Sequence, residues 1–135
     1  MALYRQKKRK LWIIKAVDSQ KNKMIAWVLG QRDEKTFKRL YGKVKHLKKC
    51  TFYTDGWEAF AKVLPKRRHI IGKSHTHIVE SNNSDTRHHL GRFTRKTKIV
   101  SKSENAVDFS LKLWSALSEP DVFDRFQQSA ISIYF

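Results

Sequence analysis

The sequence contains little cysteine, proline or glycine, with one cysteine, two prolines and five glycines among its 135 residues. Because Cys50 is alone, the chain cannot form an intrachain disulfide or a cysteine-based zinc cage, and this favours a reducing compartment. We therefore expect a cytoplasmic protein. The chain also lacks a Gly/Ser-rich linker, an internal repeat or a low-complexity stretch, and its length is typical of one domain with a modest core.

Long apolar runs are absent as well. No segment approaches the roughly 20 apolar residues that a membrane-spanning helix requires. The N-terminus, MALYRQKKRK, has its charges after a short apolar start and lacks the hydrophobic region of an export signal. The basic side chains are spread along the chain, whereas a basic peripheral membrane protein concentrates them on one amphipathic helix. The sequence therefore predicts no membrane partner.

Acidic residues are scarce: 12 Asp and Glu stand against 29 Lys and Arg, which gives a formal net charge of +17. The excess is front-loaded, since residues 1–49 hold 16 basic and 3 acidic side chains. Hydrophobic residues at 40% and aromatic residues at 12% exclude a disordered polycation, which would have few aromatics. Self-repulsion of this size destabilises a compact chain unless a polyanion offsets it, so nucleic acid is the first candidate partner.

Hydrophobic periodicity predicts the order of the elements. Two apolar, β-branched runs, residues 11–17 and 24–29, flank a segment of turn-forming residues and predict a β-hairpin. The further predicted elements are a helix over 34–47, a strand over 50–54, a helix over 57–64, a strand over 69–71, a helix from Glu80 and a helix over 104–117. The order β-β-α-β-α-β-α-α predicts an α/β or α+β domain with one sheet flanked by helices.

Two acids in a basic surround are the candidate catalytic residues. Asp55 follows a predicted strand within Thr54-Asp55-Gly56-Trp57, and Glu80 lies near the start of a predicted helix. Phosphodiester cleavage commonly uses two Mg²⁺ ions held by carboxylates from strand ends and a helix, and these positions fit that pattern. The alternatives are structural. Asp55 is also suited to capping a helix, and Glu80 is suited to a favourable interaction with the helix dipole.

Three motifs carry a resemblance to a known family. They are Ala16-Val17-Asp18, Thr54-Asp55-Gly56-Trp57, and the ungapped block of Ile78-Val79-Glu80, Asn83, Arg87, Leu90, Arg92, Arg95-Lys96 and Ser101-Lys102-Ser103. From Lys10 to Ser103 the chain resembles the transposases of the bacterial insertion-sequence-one family, which are DDE transposases. The spacing between the second Asp and the Glu of the family's catalytic triad is part of this resemblance.

The resemblance implies a ribonuclease-H-like α/β fold of the retroviral integrase superfamily, with a mixed sheet flanked by helices and, in this chain, an incomplete first strand. It implies a partial catalytic core over residues 1–117 and a C-terminal tail over residues 118–135. It also implies that Asp55 and Glu80 are the second and third acids of the triad. As such they would ligate Mg²⁺, or Mn²⁺, during DNA cleavage and strand transfer.

The first acid of the triad departs from the family pattern. In the family it lies in a stretch resembling Asp-Glu-x-Trp, and counting back without gaps from Asp18 places it before Met1. Asp18 itself falls at the far end of a strand and is expected to be a turn former. Two carboxylates are expected to hold at best one weakly bound ion, so the activity of this chain is left open. The family's N-terminal zinc-finger and helix-turn-helix region also has no counterpart.

Polar and basic residues that follow Glu80 are the candidate DNA contacts. Asn83 and Arg87 lie three and seven residues after Glu80, on the same face of a helix, and Arg gives bidentate phosphate contacts. The full set is Asn83, Arg87, Arg92, Arg95 and Lys96. For Arg92 and Arg95, ordinary solvated charge is an equally good interpretation.

Three functions remain in competition. The leading hypothesis is a transposase that cleaves and joins the ends of an insertion sequence and target DNA by two-metal catalysis, associated with the nucleoid through DNA. The second is a catalytically inactive DNA-binding remnant or regulator that competes with an intact transposase. The third, a basic RNA-binding protein, explains the charge but not the acids. Assembly into a homo-oligomer is left open.

Overall fold

A computed structural model of the protein describes residues 2–6, 9–93 and 103–134. Its strands are β1 (Ala2–Gln6), β2 (Arg9–Asp18), β3 (Lys23–Gly30), β4 (Phe52–Thr54) and β5 (His69–Ile71). Its α-helices are α1 (Glu34–Val44), α2 (Glu58–Val63), α3 (His77–His89), α4 (Glu104–Leu117) and α5 (Pro120–Tyr134). Single 3-10 turns lie at Lys66–Arg68, Lys73–His75 and Gly91–Phe93. The chain is therefore mixed α/β, as its hydrophobic pattern predicts.

The first three strands form an antiparallel sheet in the order β1-β2-β3. The β2–β3 hairpin is the one predicted, and its turn is built from local polar groups. Asp18 Oδ1 accepts hydrogen bonds from the main-chain N–H groups of Gln20, at 2.8 Å, and Lys21, at 3.3 Å. Asn22 adopts a positive φ of 51°, which Asn tolerates better than most residues. Asp18 is thus a turn former, as expected.

One face of this sheet packs against α1. Ile14 and Ala16 of β2 lie opposite Val28 and Ala26 of β3, so the four side chains share a face. The core around them is completed by Phe37, Leu40, Val44, Leu64 and the partly buried Tyr41, Leu47, Phe52, Trp57, Phe60 and Val63. The antiparallel sheet thus supplies small and branched side chains, and α1, α2 and the segments around them supply the larger ones.

The helix α1 begins one residue after a cap and ends earlier than its apolar pattern predicts. Asp33 Oδ1 accepts from the Thr36 main-chain N–H at 2.7 Å, which satisfies one of the first helical donors. At the other end, the N–H of Leu47 bonds to the carbonyl of Val44 at 3.0 Å, a tighter turn than an α-helix makes. Leu47 therefore reaches the core from a turn, although its spacing continues the helical pattern.

Two glycines give a matched test of this packing. A methyl group at Gly30 would lie 2.8 Å from Oγ1 of Thr36, a buried β-branched residue with little freedom to move away. Gly30→Ala is expected to lower the free energy of unfolding by about 1–3 kcal/mol. Gly42, inside α1, has open space around it, so Gly42→Ala is expected to raise the same quantity by about 1 kcal/mol. Urea unfolding of both variants checks this, and a lower free energy of unfolding in both variants would contradict it.

The short strands β4 and β5 form a separate parallel pair, with Phe52 opposite His69 and Thr54 opposite Ile71. The expectation of one sheet is therefore wrong for the residues that the structure describes, which form a three-stranded and a two-stranded sheet. The physical reason lies in strand length, since three-residue strands offer few backbone groups for a further ladder. The α2 helix connects the two parallel strands, as such a crossover requires.

The chain divides into two compact units, residues 1–102 and 103–135. In the second unit α4 and α5 are in contact with each other, and Val107 and Leu111 of α4 are buried. Phe109 and Leu113 of α4 are exposed. The helix α5 occupies the region predicted only as a tail. Among the described residues, no helix is both long and apolar enough to cross a membrane.

Candidate active site

The two candidate acids follow the two strands of the parallel pair, one directly and one on the next helix. Asp55 directly follows β4, and Glu80 lies in the first turn of α3, which the chain enters soon after β5 ends at Ile71. The N–H of Gly72 bonds to the carbonyl of Thr54 at 2.9 Å, so the two strands remain paired up to this edge. Ligands of α/β proteins commonly bind at the carboxyl ends of parallel strands. Asp55 therefore lies at such an end, and Glu80 lies on the helix that follows the second strand.

Asp55 is exposed and makes a local turn rather than a helix cap. Its Oδ1 accepts from the main-chain N–H of Trp57 at 3.1 Å, and α2 begins one residue later with Trp57 at the cap position. The guanidinium of Arg32 lies 5.1 Å from the Trp57 ring and 5.2 Å from the Trp12 ring. The loop that carries Asp55 is thus held against β2 by cation–π contacts. The remaining carboxylate surface of Asp55 faces solvent.

A histidine on β5 supports the end of β4, next to Asp55. His69 Nε2 lies 2.6 Å from the hydroxyl of Thr54, and that hydroxyl donates to the carbonyl of Asp55 at 3.0 Å. Because the hydroxyl proton is used, the ring N–H must be the donor in the first contact. Burial lowers the pKa of His69, which favours the neutral ring. Neighbouring Tyr53 packs against His75, with 4.2 Å between ring centroids, and so ties β4 to the turn before α3.

Glu80 is exposed on α3, and the polar residues after it share its flank. Asn83 and Arg87 are both partly buried, and Arg87 has a partner within the protein. The Oδ1 atom of Asn83 is buried and accepts no hydrogen bond in the described structure. Such an orphaned acceptor is unfavourable unless a ligand or water satisfies it. The backbone of Arg92 lies in a 3-10 turn, and the predicted contacts Arg95 and Lys96 lie outside the described residues.

A polar network holds α3 on the face of the sheet opposite α1. The Nζ of Lys15 on β2 donates to Asn82 Oδ1 at 2.6 Å and to Thr86 Oγ1 at 3.2 Å. Asn82 Nδ2 donates in turn to the carbonyl of Asn22 at 2.9 Å, and Asn22 Nδ2 donates to Asp85 Oδ2 at 3.3 Å. The helix that carries Glu80 is therefore fixed to the hairpin by hydrogen bonds rather than by apolar contacts alone.

Lys15 is the most perturbed group among those described. Burial lowers its pKa from the ordinary value of 10.5 to about 8, and the charge of Arg87 acts in the same direction. The carboxylate of Asp85 opposes both effects. Lys15, Asn82 and Thr86 are not among the residues predicted from the sequence. The available signals were a lysine inside an apolar strand and two polar residues at the i,i+4 spacing of one helix face.

The donor set limits which metal the site suits. Within the described part of the chain, no group of three or more His, Cys, Asp or Glu side chains lies close enough to hold an ion. Carboxylate oxygens are the usual protein contribution for Mg²⁺, which completes its octahedron with water and substrate phosphates. In the kind of donor they offer, Asp55 and Glu80 therefore suit a hard divalent cation rather than zinc, which favours His and Cys.

Comparison with known proteins identifies the family. The family model described as IS1 transposase matches residues 2–114. The chain belongs to the IS1 transposase family. It is 34% identical over 102 residues to the insertion element IS1 protein InsB of Shigella sonnei, a match that covers 76% of this chain and 78% of that protein. It has the same identity over 102 residues to the IS1 9 protein InsB of Escherichia coli K12, covering 76% of this chain and 61% of that protein.

The family assignment confirms the resemblance drawn from the sequence motifs. The matched region includes both Asp55 and Glu80 and ends within α4. The match spans about three fifths of the length of the Escherichia coli relatives, such as the IS1 1 protein InsB, where the share is 61%. No solved structure matches the chain. Membership of the IS1 transposase family supports a transposase role and a place in insertion-sequence biology.

Proposed function

We propose that the chain acts on insertion-sequence DNA as a DDE transposase core, with Asp55 and Glu80 as two of its metal-binding acids. The observation that carries this is that Asp55 directly follows β4, at the carboxyl end of the parallel pair, in a member of the IS1 transposase family. Glu80 lies in the first turn of α3, the helix that follows β5. The net charge of +17 supports DNA as the partner.

The chemistry follows from what these side chains supply. Asp55 and Glu80 would hold Mg²⁺, or Mn²⁺, which when bound polarises the scissile phosphate and lowers the pKa of a coordinated water. Both carboxylates are exposed, so a DNA strand can approach them without rearrangement of the core. The orphaned Oδ1 of Asn83 would accept from a base or from an ordered water, and Arg87 would neutralise phosphate charge.

Several finer properties belong to the same proposal. We infer a relationship to the ribonuclease-H-like fold, with the catalytic core over residues 1–117 and the tail over 118–135. Arg92, Arg95 and Lys96 would contact the DNA backbone beyond α3. The protein would then reside in the cytoplasm and associate with the nucleoid through DNA. Self-association is left open.

Metal binding tests the site directly. Asp55→Asn is expected to weaken Mn²⁺ binding at least about tenfold, because it removes one of two charged ligands. The matched control is Glu58→Gln, which neutralises another exposed acid three residues away at the start of α2. Isothermal titration of the full chain with MnCl₂ measures both. An Asp55→Asn protein that binds Mn²⁺ as well as the Glu58→Gln protein would show that Asp55 only shapes its turn.

The inactive regulator is the second candidate function, favoured by the absence of a third acid near the pair in the described structure. Nicking of a duplex that carries an insertion-sequence end, with Mg²⁺ or Mn²⁺, separates the two functions. Cleavage that is lost in Asp55→Asn and kept in Glu58→Gln supports the transposase. DNA binding without cleavage in the unmodified chain supports the regulator.

A further inference from the structure

The amino ends of β4 and β5 carry a charged surface, at the opposite end of these strands from Asp55. Five exposed cations lie in the segments that lead into these strands. They are Lys45, Lys48, Lys49, Lys66 and Arg67, here called the basic edge. The two strands are parallel and in register from Phe52 opposite His69, so the preceding segments share one edge. Asp55 is at the other edge, and the three residues of β4 separate the two by about 10 Å.

Arg68 joins the two segments of the basic edge. Its Nη1 donates to the carbonyls of Leu47 and Lys48, both at 2.8 Å. Its guanidinium also lies over the ring of Phe52, 5.5 Å from the centroid. The loop is further ordered by a hydrogen bond from Cys50 Sγ to the carbonyl of Leu47 at 3.0 Å. The cations on either side are therefore displayed from a fixed backbone, although about twenty residues separate them in sequence.

The segments that carry the basic edge contain no acidic residues to offset its positive charge. The sequence contains no Asp or Glu from residue 35 to 54 or from residue 59 to 79. Clustered cations on an ordered backbone repel one another, and a bound polyanion relieves that repulsion by neutralising them. Binding is also favoured because it releases the counterions of the polyanion. A solvated helix face, by contrast, usually mixes both signs, as Glu34 and Lys38 do on α1 at 2.7 Å.

We propose that the basic edge is a binding surface for the phosphate backbone of duplex DNA, separate from the end of the strands that Asp55 follows. It rests on the proposed function only in the choice of DNA as the polyanion. Lysines at fixed points suit non-specific phosphate contacts, which position a duplex without reading its sequence. The surface would contact the backbone of a duplex about 10 Å from Asp55, the length of β4.

The test compares two triple variants that lower the net charge equally. The first is Lys48→Gln with Lys49→Gln and Arg67→Gln, all exposed at the basic edge. The control is Lys21→Gln with Lys35→Gln and Lys112→Gln, all exposed elsewhere. Arg68 is kept because it orders the loop. Fluorescence anisotropy of a labelled duplex, measured over a series of KCl concentrations, gives Kd and its salt dependence for each full-length protein.

The first variant is expected to raise Kd at least about tenfold and to reduce the slope of log K against log salt by about 2 to 3. The control is expected to change the slope by less than about 1. Equal changes in both variants would overturn the proposal, and so would tighter binding of an RNA duplex than of the DNA duplex. Mn²⁺ titration of the same proteins should stay unchanged, which separates failure here from failure of the Asp55–Glu80 site.

Discussion

Raising the pH from 8 to 10.5 is expected to stabilise the unmodified protein by about 3 kcal/mol more than a Lys15→Met variant. In the folded protein burial lowers the pKa of Lys15 to about 8, while the unfolded chain keeps the ordinary value of 10.5. Between these values the unfolded state binds more protons, so the free energy of unfolding rises with pH. Below pH 8 both states are protonated, and folding carries the full cost of burying the ammonium group.

Met is the suitable replacement because it retains a long unbranched chain without the charge. Lys21→Met is the control, since Lys21 is exposed in the hairpin turn next to the network. Urea unfolding at pH steps across the window measures all three proteins. The free energy of unfolding of the control should rise with pH like that of the unmodified protein, and that of Lys15→Met should not. If it rises equally in Lys15→Met, then Lys15 is solvated, and the hydrogen bonds to Asn82 and Thr86 do not hold α3 to β2.

The second large effect is expected in the core. Phe37→Ala should lower the free energy of unfolding by about 3–5 kcal/mol, the usual cost of removing a buried aromatic ring. Phe37 is 5% exposed, and its ring centroid lies 4.7 Å from that of Phe60 and 6.3 Å from that of Trp57 in edge-to-face contacts. The cavity left by the ring would be lined by two aromatic side chains that cannot both move into it.

The same substitution at an exposed position provides the control. Phe109 on α4 is 66% exposed, so Phe109→Ala should change the free energy of unfolding by less than about 0.5 kcal/mol. Chemical denaturation followed by tryptophan fluorescence measures both variants. Because Trp57 packs on Phe37, the folded-state spectrum should also shift in Phe37→Ala. Similar losses in the two variants would contradict the assignment of Phe37 to the core.

Local patterns were sufficient for most elements. The helix predicted over 104–117 coincides with α4, and the strand predicted over 69–71 coincides with β5, because periodicity and turn residues act over a few positions. The helix around Glu80 begins at His77, earlier than predicted, since its first turn has no side-chain cap to mark it. The helix α5 was missed, although Pro120 at its first position is a typical start signal.

In the candidate site as well, local patterns indicated some residues and not others. Asp55 and Glu80 were identified in the sequence by their place after a strand and near a helix start, and family motifs carried the assignment. Lys15 was not, because its partners Asn82 and Thr86 are 67 and 71 residues away in the chain. Nothing in the neighbourhood of Lys15 indicates which helix will cover its side of the sheet.

The sequence by itself determined most of the elements, the hairpin among them, because these follow from local spacing. Its summed charge and motifs predict a polyanion partner and the two acids. Only the tertiary structure decided that β4 and β5 pair apart from the antiparallel sheet, and that Arg68 gathers two basic segments into one surface. It also decided that a partly buried lysine contacts α3. These features depend on contacts between distant residues, whose cost in chain entropy is met only by the whole fold.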